Sequence, residues 1–222
     1  MPRTRVTEET LYKFDELEEK AKEKAREWFR GLIEADEYTE HVYEDAATIA
    51  ALMGLDIRTR PVKLMNGGTR YDSCIYWSGF SSQGDGACFE GRWEHKPDSL
   101  EKVKEHAPLD ERLHAIAADF ASPKIAHLKA SSKHRGHYYH EYCMDIEVSS
   151  NHQPEDFPEG SIDDEMWPTN EQYEHIKEMF ADFARWIYRQ LEQSHDWCHA
   201  DEQVDENIRC NEYEFTKSGR LA

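Results

Sequence analysis

The chain has 222 residues, 33% of them charged, 38% hydrophobic and 12% aromatic, with a formal net charge of −19. That apolar content is enough for a packed core, so the composition excludes a disordered chain. The acidity excludes a nucleic-acid binder that works by neutralising phosphates, and suits a partner with a basic surface.

In chain order, the first expected element is an amphipathic helix over 14–33, where Leu17, Ala21, Ala25, Trp28 and Leu32 recur at helical spacing. A second helix is expected over 37–53, with Val42, Ala46, Ile49, Ala50 and Met53 inward and Gly54 as its stop. A strand over 57–64 carries Pro61, which confines it to a sheet edge, and Asn66-Gly67-Gly68 turns the chain back. Two aromatic runs follow: Ile75, Tyr76, Trp77 and Phe80, then Cys88, Phe89 and Trp93. They read as strands joined by Ser81-Ser82-Gln83-Gly84-Asp85-Gly86, a stretch of turn chemistry. Helices are expected after Asp98 and Asp110, and a third long strand over 137–148. In that strand Tyr138, His140, Tyr142, Met144, Ile146 and Val148 face the core. The segment 151–169 reads as an acidic, Pro-rich surface loop, followed by a long helix over 171–195 and a short one after Asp201. A last strand lies near Tyr213–Phe215.

This order predicts an α+β fold: a mostly antiparallel sheet of about four strands, covered by an N-terminal helix pair and a long C-terminal helix. Strands near 72–80, 87–95 and 137–148 are expected to share that sheet. No Gly/Ser or Pro-rich linker divides the chain, so one domain over 1–222 is expected, with 1–12 as an N-terminal arm. The five cysteines form no CxxC pair and the start has no apolar stretch behind it. The expectation is therefore a reducing, cytoplasmic setting without signal peptide or membrane span.

Three constellations carry chemistry. Cys88 with Asp85 and a later His137 or His140 has the parts of a thiol nucleophile, although a strand at Cys88 offers no helix dipole. His195, Cys198 and His199 fall within about one helical turn, a spacing that zinc ligands use, and chance clustering among 12 histidines offers the plain alternative. Gln83, Asp85 and Glu90, with Trp77, Phe80 and Trp93, form a polar and aromatic contact set around one loop. Acidic contacts are expected at Asp163, Asp164 and Glu165 and at Asp201, Glu202, Asp205 and Glu206. No cofactor or resident metal is expected.

The complete string Ser78-Gly79-Phe80, then Gln83 through Gly91, resembles the SGF-x-x-QGDGACFEG signature of uncharacterised phage and prophage proteins. The resemblance extends to Phe14-Asp15-Glu16-Leu17, Gly136 through Tyr142, Trp186 through Leu191 and Asn211 through Phe215. It departs at His195-Asp196-Trp197-Cys198-His199, where the relatives carry a plainer polar helix end. Members are often labelled "antitoxin of toxin–antitoxin stability system". The resemblance implies a non-enzymatic phage accessory protein in a bacterial host cell. It would bind and block or titrate a host protein in a toxin–antitoxin or anti-defence role (anti-CRISPR or anti-restriction, for example). The partner would carry a basic surface, normally occupied by nucleic acid in the mimicry version, with homo-oligomerisation left open. The alternative is a small cysteine-dependent hydrolase, because Asp85-Gly86-Ala87-Cys88 resembles the Asp-Gly-x-Cys loop of ovarian-tumour-type deubiquitinases.

Overall fold

The structure is a computed structural model that describes residues 8–150 and 168–222. Asp163, Asp164 and Glu165, and most of the expected acidic loop, lie outside the described residues. The elements are β1 (Tyr12–Lys13), α1 (Glu19–Arg30), α2 (Asp36–Leu52), β2 (Leu55–Ile57), β3 (Thr59–Lys63), β4 (Thr69–Ser73), β5 (Ile75–Ser78), β6 (Gly86–Phe89) and β7 (Gly91–Glu94). They continue with α3 (Ser99–His106), α4 (Glu111–Phe120), β8 (Leu128–His134), β9 (Met144–Ser150), α5 (Asn170–His199), α6 (Asp201–Cys210) and β10 (Glu214–Phe215). Among the described residues every strand pairing is antiparallel, and the class is α+β. Among the described residues no helix is long and apolar enough to cross a membrane.

The chain divides into two compact units, one formed by residues 1–40 and 193–222, the other by 41–192. In the larger unit a four-stranded sheet runs β2-β7-β8-β9. Its inner face meets apolar side chains of α2, α4, α5 and the turn after α2: Ile49, Met53, Phe120, Phe180 and Phe183 join Trp93, Leu128 and Ile146 in one buried cluster. Full burial of a side chain of this kind contributes about 1.5–3 kcal/mol. Asp110 caps α4 by accepting from Leu113 N at 2.8 Å, and its other carboxylate oxygen accepts from Trp186 Nε1 at 2.7 Å.

Three long strands of this unit bend and change partners. Residues 55–63 pair first with β7 and then with β4, residues 69–78 pair with β3 and then with β6, and residues 86–94 pair with β5 and then with β2. At the bends, Arg58 N donates to Glu90 O at 2.8 Å, Glu90 N to Cys74 O at 2.9 Å, and Cys74 N to Arg58 O at 2.8 Å. This closed ring of backbone bonds lets three hairpins leave one point without an orphaned amide. It is also why the strands expected near 72–80 and 87–95 do not lie whole in one sheet. Beyond the ring, β5 and β6 form their own two-stranded sheet.

The strand expected over 137–148 begins only at Met144. Gly136 turns the chain in the left-handed region at φ 97°, and Glu141–Cys143 form a 3-10 turn. Tyr138 and Tyr142, expected inward, are 64% and 72% exposed. From Met144 onward the expected alternation holds, with Ile146 inward.

In the smaller unit the apolar stripe of α1 meets α6 and the terminal strands. Ala21, Ala25, Val204, Ile208 and Phe215 form its core with Phe14 and Leu17, and Tyr12 pairs with Phe215 across β1 and β10. Arg26 is 9% exposed and donates to Asp205 through Nε at 2.7 Å and a terminal nitrogen at 2.9 Å.

Candidate functional site

The signature loop is the turn between β5 and β6, and its shape follows from Asp85. Ser78 stands opposite Gly86 in the register, so the turn spans residues 79–85. The Asp85 carboxylate accepts from Ser81 N at 2.9 Å and Ser82 N at 2.6 Å, while Asp85 N donates to Ser82 O at 3.1 Å. Those amide donors hold the Asp85 carboxyl below the usual carboxylate range, with Ser82 as the largest cause. Gly79 has φ 26°, and a Cβ there would stand 2.8 Å from Asp85 Oδ2, so the carboxylate can lie across the turn only over a glycine.

The loop is fastened at both ends. Tyr188 of α5 donates its hydroxyl to Gly79 O at 3.0 Å. Phe80 lies against Trp77, centroids 4.9 Å apart, and against Tyr188 at 5.6 Å. On the far side, a Cβ on Gly86 would meet His140 Cβ at 2.7 Å and His140 Cα at 2.9 Å. Gly86 therefore admits the 3-10 turn at Glu141–Cys143 against β6. That turn is tied to α5 by Arg185, whose Nε reaches Glu141 Oε1 at 3.0 Å and whose terminal nitrogen reaches Tyr142 Oη at 3.1 Å. Between these anchors Gln83 and Gly84 stand exposed at the tip, with open space beside Gly84.

The predicted site residues separate into three groups. Gln83, Asp85, Trp77 and Phe80 do belong to one structure, the loop and its base. Glu90 lies at the strand ring, where it pairs with Arg58 at 2.9 Å. Trp93 is a correction: it is fully buried and donates Nε1 to Met53 O at 3.1 Å, so it is a core anchor and not a contact residue.

Cys88 sits in β6 opposite Tyr76, with no exposed surface. Burial, then the neighbouring Cys143 and Glu90, pushes its thiol up to about 12. A buried neutral thiol is a poor nucleophile. Asp85, the carboxylate of that set, is spent on Ser81 and Ser82, and His137 is exposed with its ring edge-on to Tyr138 at 6.2 Å. The thiol and imidazole that do meet are Cys143 Sγ and His140 Nε2, 3.3 Å apart. Tyr142 N donates to His140 Nδ1 at 3.2 Å, which leaves the ring proton of the neutral imidazole on Nε2, facing the sulfur. Two features of the sequence bear on this pair: the stretch of resemblance over Gly136–Tyr142, which holds His140, and the spacing His140-x-x-Cys143.

In the smaller unit, His195 and His199 stack face to face with centroids 4.0 Å apart, and Tyr38 lies edge-on to both. His199 Nδ1 bonds His195 O at 2.8 Å, and burial followed by Glu37 pushes the Cys198 thiol up. Stacked rings do not converge their lone pairs on one point. Among the described residues no group of three or more His, Cys, Asp or Glu side chains could hold a metal ion. Of the acidic set, Asp201 is bound to Arg30 and Asp205 to Arg26, while Glu202 and Glu206 are exposed.

A family model described as a domain of unknown function (DUF8835) matches residues 38–201. No curated protein and no solved structure matches the chain.

Proposed function

Since the chain belongs to the DUF8835 family, a domain of unknown function, we propose from its own residues that it is a non-enzymatic binding protein. It presents the loop 79–85 to a host protein that carries a basic surface. The observation that carries this reading is the state of the loop itself. Its one carboxylate is consumed by its own backbone, its neighbouring thiol is buried and neutral, and its exposed tip is held between two anchors. A pre-ordered, exposed turn on rigid strands loses little entropy on binding, and gains nothing for chemistry without a reactive group. The net charge of −19 supports a basic partner, because opposite fields speed encounter. The signature resemblance supports placing that partner in a toxin–antitoxin or anti-defence system. A hydrolase reading would have to run through Cys143 and His140, and a neutral His140 cannot take the thiol proton while Nδ1 is engaged and Nε2 is protonated.

The test is affinity for the purified partner across a salt series, with Gln83→Ala and with Glu202→Lys/Glu206→Lys. Screening shortens from about 10 Å at 0.1 M to about 3 Å at 1 M, so affinity should fall steeply with salt. Gln83→Ala should weaken binding at least tenfold without changing the melting temperature. Binding that ignores both sets of variants, or a hydrolytic activity lost on Cys143→Ala in a folded protein, overturns the reading.

A further inference from the structure

A groove of about 650 Å³ lies on the outer face of the four-stranded sheet, and none of the loop residues 79–85 lines it. The register builds it. Asp56 pairs with Arg92, Arg92 with Ser131, and Ser131 with Glu147, so four outward residues form one row across β2, β7, β8 and β9. Their chain neighbours Leu55, Ile57, Trp93, Ala130, Ser132 and Ile146 point to the core, as period-two alternation requires. Ser131 is short and stands between the long side chains Arg92 and Glu147, which leaves the depression. Arg58, Glu90 and Lys133 complete the charged rim.

The charges balance, three cations against three carboxylates, yet they are unequally paired. Arg58 is taken by Glu90 at 2.9 Å, and Lys133 reaches Glu147 only at 3.9 Å. Among the described residues Asp56, Arg92 and Ser131 have no side-chain hydrogen bond or ion pair, although Asp56 and Arg92 are directly opposite and oppositely charged. An unpaired guanidinium beside a free hydroxyl is suited to a planar carboxylate. The carboxylates of Asp56 and Glu147 on either side oppose a doubly charged anion and favour an ammonium. Adjacent strands lie about 4.8 Å apart, so Arg92 and Glu147 are separated by roughly 10 Å of sheet.

We infer that this groove binds a small zwitterion with separated charges, an ω-amino acid in class. Its carboxylate sits on Arg92 and Ser131, and its ammonium sits against Glu147. The inference is independent of the loop and of its protein partner.

Amide spectra of the ¹⁵N-labelled full chain, titrated with γ-aminobutyrate, ε-aminocaproate, glycine, acetate and inorganic phosphate at matched ionic strength, test it. The two long zwitterions should give saturable shifts at residues 56, 92, 131 and 147, with glycine at least tenfold weaker. Arg92→Gln should weaken them at least tenfold. Glu147→Gln should weaken the zwitterions and leave acetate unchanged. Both substituted positions, Arg92 and Glu147, are exposed, and circular dichroism checks that the variants are folded. The inference is overturned by shifts no larger than sodium chloride gives, by an Arg92→Gln variant that binds as the parent does, or by tighter binding of inorganic phosphate than of either long zwitterion.

Discussion

Asp205 belongs to the acidic set expected to meet a partner, yet its geometry assigns it to the inside of the smaller unit. Its side chain is 13% exposed and that of Arg26 is 11% exposed, with two N–H bonds between them. The Arg26 guanidinium also lies 5.6 Å from the Phe14 ring centroid, and its pKa is raised, first by the Asp205 bond. Removing one partner of a buried pair costs about 3–5 kcal/mol. Two facts place the expectation at the low end. Glu19 and Glu23, also bonded to Arg26, are 75% and 50% exposed, and exposed pairs are worth under about 1 kcal/mol each. Arg209 stands 3.9 Å from Asp205 and takes up part of the orphaned charge. Arg26→Met should therefore cost about 3 kcal/mol. Asp205→Asn should cost about 2 kcal/mol, because an amide still accepts one of the two bonds. At roughly 2–4 °C per kcal/mol, Arg26→Met lowers the melting temperature by about 6–12 °C. Arg26→Met/Asp205→Leu should recover most of the loss, since an apolar pair of similar volume replaces the ions. Differential scanning calorimetry on the parent, Arg26→Met, Asp205→Leu and their double gives the cycle, with Asp205→Asn measured beside it. Single effects below about 0.5 kcal/mol, or a double that is the plain sum of the singles, would refute the reasoning and return Asp205 to the contact surface.

Asp85→Ala should lower the melting temperature at neutral pH, because two loop amides lose their acceptor. The folded Asp85 carboxyl is depressed, so its stabilisation is present above the unfolded value of about 3.9 and fades as pH falls through the folded one. Calorimetry at pH 7 and pH 3 should show the gap between parent and variant closing in acid, and a constant gap contradicts the assignment. For Cys88 the sign is opposite. Its thiol is raised to about 12, so stability is complete below the unfolded value of about 8.5 and is lost as pH rises from there. Urea unfolding between pH 7.5 and pH 10 should show a smaller alkaline loss in Cys88→Ala than in the parent, and equal losses would mean that the thiol is not held neutral.

Much of this fold was legible because its signals are local. Helix ends at Asp110 and Gly54, the Asn66-Gly67-Gly68 turn and the apolar stripe from Ile176 to Leu191 each state their structure within a few residues. What was missed depends on distant partners. Strand β8 reads Leu-Lys-Ala-Ser-Ser-Lys-His, poor in strand formers, and it is a strand because both neighbours pair with it. Tyr138, Tyr139 and Tyr142 have strand propensity and form none, since Gly136 reverses the chain and Arg185 holds the 3-10 turn to α5. The ring at Arg58, Cys74 and Glu90 has no local mark at all. The candidate site shows the same division: the loop chemistry of Asp85 was readable between its glycines, whereas the burial of Cys88 and Trp93 was not.

Acidity alone does not make a surface that imitates nucleic acid. Such a surface needs carboxylates that are fixed and unneutralised, and the smaller unit spends many of its own. Glu19 and Glu23 serve Arg26, Asp201 serves Arg30, and Asp15 bonds Arg209 at 3.0 Å. Each pairing cancels a charge at short range. What survives at a distance is the net field of −19, which screens within about a Debye length. A field of that kind steers a basic partner toward the chain but does not select a register on it. Selection then needs a feature with shape, and in the larger unit the loop held by Asp85, Tyr188 and Phe80 is ordered before any partner arrives. Charge would set the rate of encounter and the loop its specificity.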